Sequence, residues 1–109
     1  MDENPERGRK FTMSALLEGI RILDFTYLLP GPFATMMLSD LGAEVLRVES
    51  PSRIDMARLA PPFVDKDGQI SCMHATLSRN KKSIALDLKN PWSIDIIKRL
   101  IREKGYTIV

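Results

Sequence analysis

The apolar positions of this chain fall into short blocks, and their period changes from one block to the next. Ile20 to Phe25 is a nearly continuous apolar run of strand length, the pattern of a parallel strand covered on both faces. Gly31-Pro32 then opens a helix. Proline suits its first turn because the missing N–H would have had no partner there, and Gly42 closes the helix where a left-handed cap is favoured. Phe33, Ala34, Met37, Leu38 and Leu41 recur at three- and four-residue spacing and are expected to form the face packed on the sheet. Thr35, Ser39 and Asp40 then point elsewhere. Val45 to Glu49 reads as a second strand, and the helix between the two strands makes them parallel with a right-handed crossover.

Residues 50–69 hold Pro51, Pro61, Pro62 and Gly68 among scattered charges and no sustained period, which predicts a long loop. Ile70, Met73 and Leu77 fit a short helix. In Ser83 to Leu88 the period becomes two: Ile84, Leu86 and Leu88 share one side of a strand, with Ser83, Ala85 and Asp87 on its wetter face. Asn90-Pro91 supplies a cap and a first-turn proline. The following stripe of Ile96, Ile97, Leu100 and Ile101 ends near Gly105, and Asp95, Lys98, Arg99 and Arg102 lie opposite. Tyr106 to Val109 begins a further strand. Residues 1–13, polar and charged with Pro5 and Gly8, read as a disordered tail, and Met13 is a candidate start. Residues 14–109 form the folded part.

Sixteen basic and fourteen acidic residues leave a net charge of +2, too little for long-range attraction to nucleic acid or a membrane surface. No apolar run approaches the ~18 residues of a membrane span, and the first ten residues do not feed an apolar signal core. Cys72 and His74 are the only residues of their kinds, so one copy assembles neither a disulfide framework nor a Cys/His zinc site. The usage fits a cytoplasmic protein without a metal. Two positions apart on a helix, Cys72 and His74 diverge by about 200° and cannot act as a nucleophile–base pair.

Ligands of open α/β sheets bind beyond the carboxyl ends of the strands, which puts the loop from Thr26 to Pro32 in a favoured place. It lacks both Gly-x-Gly-x-x-Gly and a phosphate-loop Lys-Ser/Thr, and Pro32 removes an anion-cradling donor. What it offers is an apolar surface of Leu28, Leu29 and Pro30, with Gly31 permitting close backbone approach. Spacing alone favours a plain tight connection filled by core leucines. Arg79, Lys81 and Lys82 stand before a strand, where cations can meet phosphates or simply form a solvated face. Asp24, Asp40 and Asp87 read as partners at element ends. The pattern contains no catalytic constellation.

Four separated motifs carry a family likeness: Gly-Ile-Arg-Ile-Leu-Asp-Phe-Thr at 19–26, Pro-Gly-Pro-Phe-Ala-Thr at 30–35, Leu-Gly-Ala-Glu-Val at 41–45 and Asn-Lys-Lys-Ser-Ile-Ala-Leu-Asp-Leu-Lys at 80–89. In that order they resemble the N-terminal region of the class III CoA-transferases and their sister group, the α-methylacyl-CoA racemases, over almost everything after Met13. The resemblance implies an α/β, Rossmann-like, mostly parallel sheet with flanking helices, as the incomplete first part of the family's large domain. It implies acyl-CoA as a small-molecule substrate, no tightly bound cofactor, and an interlocked homodimer for the full-length protein.

By motif position, the resemblance implies that Leu29 and Pro30 line the CoA site from the first loop. Leu86, Asp87, Leu88 and Lys89 would hold its adenosine end, with Arg79 and Lys81 as further contacts. Many relatives carry an arginine directly after the glutamate that ends the second strand. This chain has Ser50 there, and Arg53 is the candidate stand-in. In the transferases a catalytic aspartate becomes an acyl anhydride and then a CoA thioester, whereas the racemases use a histidine and an aspartate. Both sets fall after Val109, so no catalytic residue is assigned in this chain. Leu28-Leu29-Pro30-Gly31-Pro32-Phe33, with Asp55 and Arg58 in the following loop, leans towards the racemase branch. Transferases more often carry alanine before that Gly-Pro. The expectation is thus a racemase-like fragment. A CoA-transferase is the alternative, and an inactive truncated product or a CoA-binding module is the non-enzyme one.

Overall fold

The computed structural model describes residues 15–109, and the tail expected over 1–13 lies outside the described residues. Four parallel strands, β1 (Arg21–Asp24), β2 (Glu44–Glu49), β3 (Lys81–Ala85) and β4 (Tyr106–Ile108), form one sheet in the order β3-β2-β1-β4. Helix α1 (Pro30–Asp40) joins β1 to β2, α2 (Cys72–Leu77) precedes β3, and α3 (Pro91–Lys104) joins β3 to β4. The architecture is α/β, a mostly parallel sheet with flanking helices. No described helix is long and apolar enough to cross a membrane.

Helix α3 follows its sequence signals closely. Asn90 caps it through its side chain, which accepts from the Trp92 N–H at 3.0 Å, and Pro91 occupies the first turn. Gly105 stops it in the left-handed region, with φ 71°. Ile97, Leu100 and Ile101 pack with Leu23, Val48, Leu86 and Tyr106 on one face of the sheet, while Ile96 turns outward. Burying a side chain such as Leu23, 0% exposed, contributes about 1.5–3 kcal/mol, so this face holds much of the fold's stability.

Helix α1 departs from its pattern. Its inner row is Pro32, Thr35, Met36 and Ser39. Of the expected face only Leu38 packs inward, against Ile22, Ala43 and Val45. Phe33, Met37 and Leu41 stay 48%, 50% and 44% exposed. The cause lies underneath. The sheet face below α1 presents Asp24, Arg47 and Lys81, and a helix lying over buried charges must offer hydroxyls instead of methyls. Strand β3 also starts earlier than expected, because Lys81 pairs with Val45 of β2, and it turns away after Leu86, leaving Leu88 outside the core. The long loop contains a 3₁₀ turn at Met56–Leu59.

Candidate functional site

A cleft of about 390 Å³ opens at the carboxyl ends of β1, β2 and β3. Phe25, Val48 and Leu86 give it an apolar floor continuous with the core. Tyr27, from the loop after β1, and Ser50, Ser52 and Arg53, beyond Glu49 at the end of β2, form one wall. Asp87, Leu88 and Lys89 close it after β3. The Leu86 N–H still donates to the Glu49 carbonyl at 2.9 Å, extending the β2–β3 ladder by one residue before the chain turns. Asp87 makes that turn by accepting from the Lys89 N–H at 3.0 Å.

The charges around the cleft are unequal in freedom. Glu49 is held by Arg58 at 2.8 and 2.9 Å and by Arg47 at 3.2 Å, so its charge is spent inside the fold. Arg53 and Lys89 have no ion-pair partner among the described residues, and Arg53 lies 5.9 Å from the Tyr27 ring centroid. The cleft therefore combines a flat apolar floor with two uncommitted cations. That set suits an aromatic base joined to phosphate groups.

Behind the wall lies a buried polar network. Arg47, 3% exposed, pairs with Asp55 and stacks on Tyr27 at 5.5 Å, and its Nε–H has no partner among the described residues. Burial opposes ionisation of Asp55. Hydrogen bonds from the Ala57 and Leu28 N–H groups and from Arg47 outweigh it and hold the carboxyl below its ordinary range. His74 is pushed down chiefly by burial, then by Arg58 and Arg47. Neither Cys72 nor His74 reaches the cleft.

Of the residues expected at the site, Leu86, Asp87, Leu88 and Lys89 come together in the cleft, and Arg53 joins them. Leu29 and Pro30 stand exposed at the same end of the sheet, outside the cleft lining. Arg79 and Lys81 are turned away from it. Arg79 sits at the opposite end of the sheet in a bidentate pair with Asp40, at 3.1 and 2.5 Å. The Lys81 ammonium is buried under α1, donating to Thr35 Oγ1 at 2.8 Å, the Pro32 carbonyl at 3.0 Å and Asp24 at 3.3 Å. Burial lowers the Lys81 pKa, with Asp24 opposing. The close approach allowed by Gly31 is internal: a Cβ there would collide with the Thr26 side chain. Tyr27 and Ser50 went unassigned as cleft residues, and their only sequence signal is their place just past two strand ends.

The family model for CoA-transferase family III matches residues 17–104. Succinyl-CoA:glutarate CoA-transferase of Homo sapiens is 53% identical over 85 residues, covering 77% of this chain and 19% of that protein. Formyl-CoA:oxalate CoA-transferase of Bradyrhizobium sp. is 40% identical over 91 residues, covering 84% and 21%. This chain therefore spans about a fifth of the length of these relatives. Among solved structures, a CAIB/BAIF family protein from Brucella suis superposes with a TM-score of 0.70 at 32% identity, covering 82% of this chain and 24% of that one. With the motifs, the parallel sheet and the match across most of its length, the chain belongs to CoA-transferase family III.

Proposed function

We propose that this chain supplies the CoA-holding part of an enzyme that moves CoA between carboxylic acids. The cleft at the strand ends carries this reading: Phe25, Val48 and Leu86 offer a surface for adenine, while Arg53 and Lys89, without an ion-pair partner among the described residues, are placed to meet phosphate. The racemase lean drawn from the Leu-Pro-Gly-Pro turn finds no support in the relatives above, which are named as CoA-transferases, and the transferase alternative replaces it. The acids proposed are dicarboxylates, after the glutarate and oxalate in those names. The catalytic aspartate is expected beyond Val109, so the residues present hold and orient the thioester carrier. An interlocked homodimer in the cytoplasm belongs to the same reading. The exposed Phe33, Met37 and Leu41 offer apolar area for such a partner.

Isothermal calorimetry of the folded chain with CoA tests the cleft. Saturable binding is expected, and Lys89→Ala and Arg53→Ala are each expected to weaken it about tenfold, or ~1.4 kcal/mol. A flat trace from folded wild-type chain overturns the reading. For the reaction, the gene's whole reading frame is assayed. Transfer of CoA from succinyl-CoA to free glutarate, without deuterium uptake at the α-carbon of a 2-methylacyl-CoA, is the expected result. Uptake without transfer restores the racemase.

A further inference from the structure

Among the described residues, Leu28 is one of two non-glycine residues with positive φ, at 65°. A leucine keeps that conformation only where its surroundings impose it, and such outliers gather where a ligand is held. The surroundings here are specific. The Leu28 N–H donates to Asp55 Oδ1 at 3.1 Å. The same oxygen accepts from the Ala57 N–H at 3.0 Å, capping the 3₁₀ turn, while Oδ2 pairs with Arg47. One residue earlier, the Tyr27 hydroxyl accepts from the Ser50 N–H at 2.7 Å and donates to the Arg53 carbonyl at 3.4 Å. Two adjacent residues of the loop after β1 are thus tied to the segment after β2, and Tyr27, Ser50 and Arg53 make one joined wall of the cleft. Asp55 is 3% exposed and does not itself line the cleft.

We infer that Asp55 is a positioning residue for the CoA cleft: its carboxylate fixes the Leu28 backbone against the segment leaving β2 and so holds Tyr27, Ser50 and Arg53 together as one wall beside the floor of Phe25, Val48 and Leu86. This rests on the CoA reading above. Without the carboxylate the first loop relaxes, the binding-competent cleft becomes a fraction of the ensemble, and apparent affinity falls by that fraction.

The test compares wild type, Asp55→Ala, Asp55→Asn and Asp55→Glu by CoA calorimetry and residue-resolved amide exchange. Asp55→Ala is expected to weaken CoA binding about tenfold or more. It should also speed exchange at the Leu28 and Ser50 amides while the Leu23 and Val45 amides keep wild-type protection. Asp55→Asn retains an oxygen for both N–H donors and is expected to recover most of the affinity, a rescue that a general loss of stability would not give. Should Asp55→Ala fail to fold, Asp55→Glu carries the test. It keeps the charge beside Arg47 but moves the Leu28 anchor, so affinity should fall with the fold intact. Wild-type affinity in a folded Ala or Glu variant, or unchanged exchange at Leu28 and Ser50, overturns the inference. If the wild-type chain takes up no CoA, the functional reading fails, and the exchange pattern still decides whether Asp55 joins the two loops.

Discussion

The two faces of the sheet are built on opposite principles. Under α3 the sheet presents Leu23, Val48, Leu86 and Tyr106 to Ile97, an apolar contact with little directional demand. Under α1 it presents Asp24, Arg47 and Lys81, whose bonds to Thr35, Thr26 and Asp55 are directional and buried. Apolar contact tolerates small shifts. A buried ion pair does not, because each misplaced donor or acceptor keeps its desolvation cost without the compensating bond. The α3 side therefore supplies stability, while the α1 side fixes where the loops after β1 and β2 stand.

The sharpest way to break this comparison is Lys81→Met. It strands a carboxylate whose side chain is 0% exposed, and a loss of about 3–5 kcal/mol in urea unfolding is expected. Asp24→Leu combined with Lys81→Met should recover part of that loss, and strict additivity of the two changes would remove the case for a coupled pair. On the other face, Ile97→Ala is expected to cost about 2–4 kcal/mol while leaving CoA affinity per folded molecule unchanged. An affinity loss there would blur the division of labour. Gly31→Ala comes next. Glycine-to-alanine in a helix ordinarily stabilises, but here the new methyl collides with Thr26 and displaces it from Asp24, so a loss of about 1–3 kcal/mol is expected by thermal unfolding.

The smallest effect expected is on pH dependence. Asp55 has a folded pKa below its unfolded one, so its contribution to stability is complete above the ordinary carboxylate range and is lost as pH falls through the lowered value. Asp55→Asn should flatten the acid limb of a plot of unfolding midpoint against pH. An acid limb identical to wild type would show that Asp55 makes no net charge contribution.

The same contrast explains what could be read from the amino-acid order. Helix α3, with its Asn90 cap, Pro91 and Gly105, was legible because its signals are local and the face it covers is apolar. Helix α1 was misread because the periodicity argument assumes an apolar surface beneath. The pair that makes that surface polar, Asp24 and Lys81, is 57 residues apart in the chain. Arg79 and Lys81 looked available for a ligand because their partners, Asp40 and Asp24, lie 39 and 57 residues away and leave no local mark. The segment from Leu86 to Lys89 was located through family likeness and not through its own pattern. Tyr27 and Ser50 meet only when β1 and β2 lie side by side.

The outermost strands carry a practical consequence. Among the described residues, β3 and β4 each have a strand neighbour on one flank only. β3 guards its open flank with the exposed Lys82, whose charge discourages an identical strand from docking. The short run of Thr107 and Ile108 in β4 carries no such charge and is protected only by its brevity. Edge-to-edge association in concentrated solution, where it occurs, is therefore expected at β4, and Thr107→Lys is the simplest remedy for keeping the sample monodisperse.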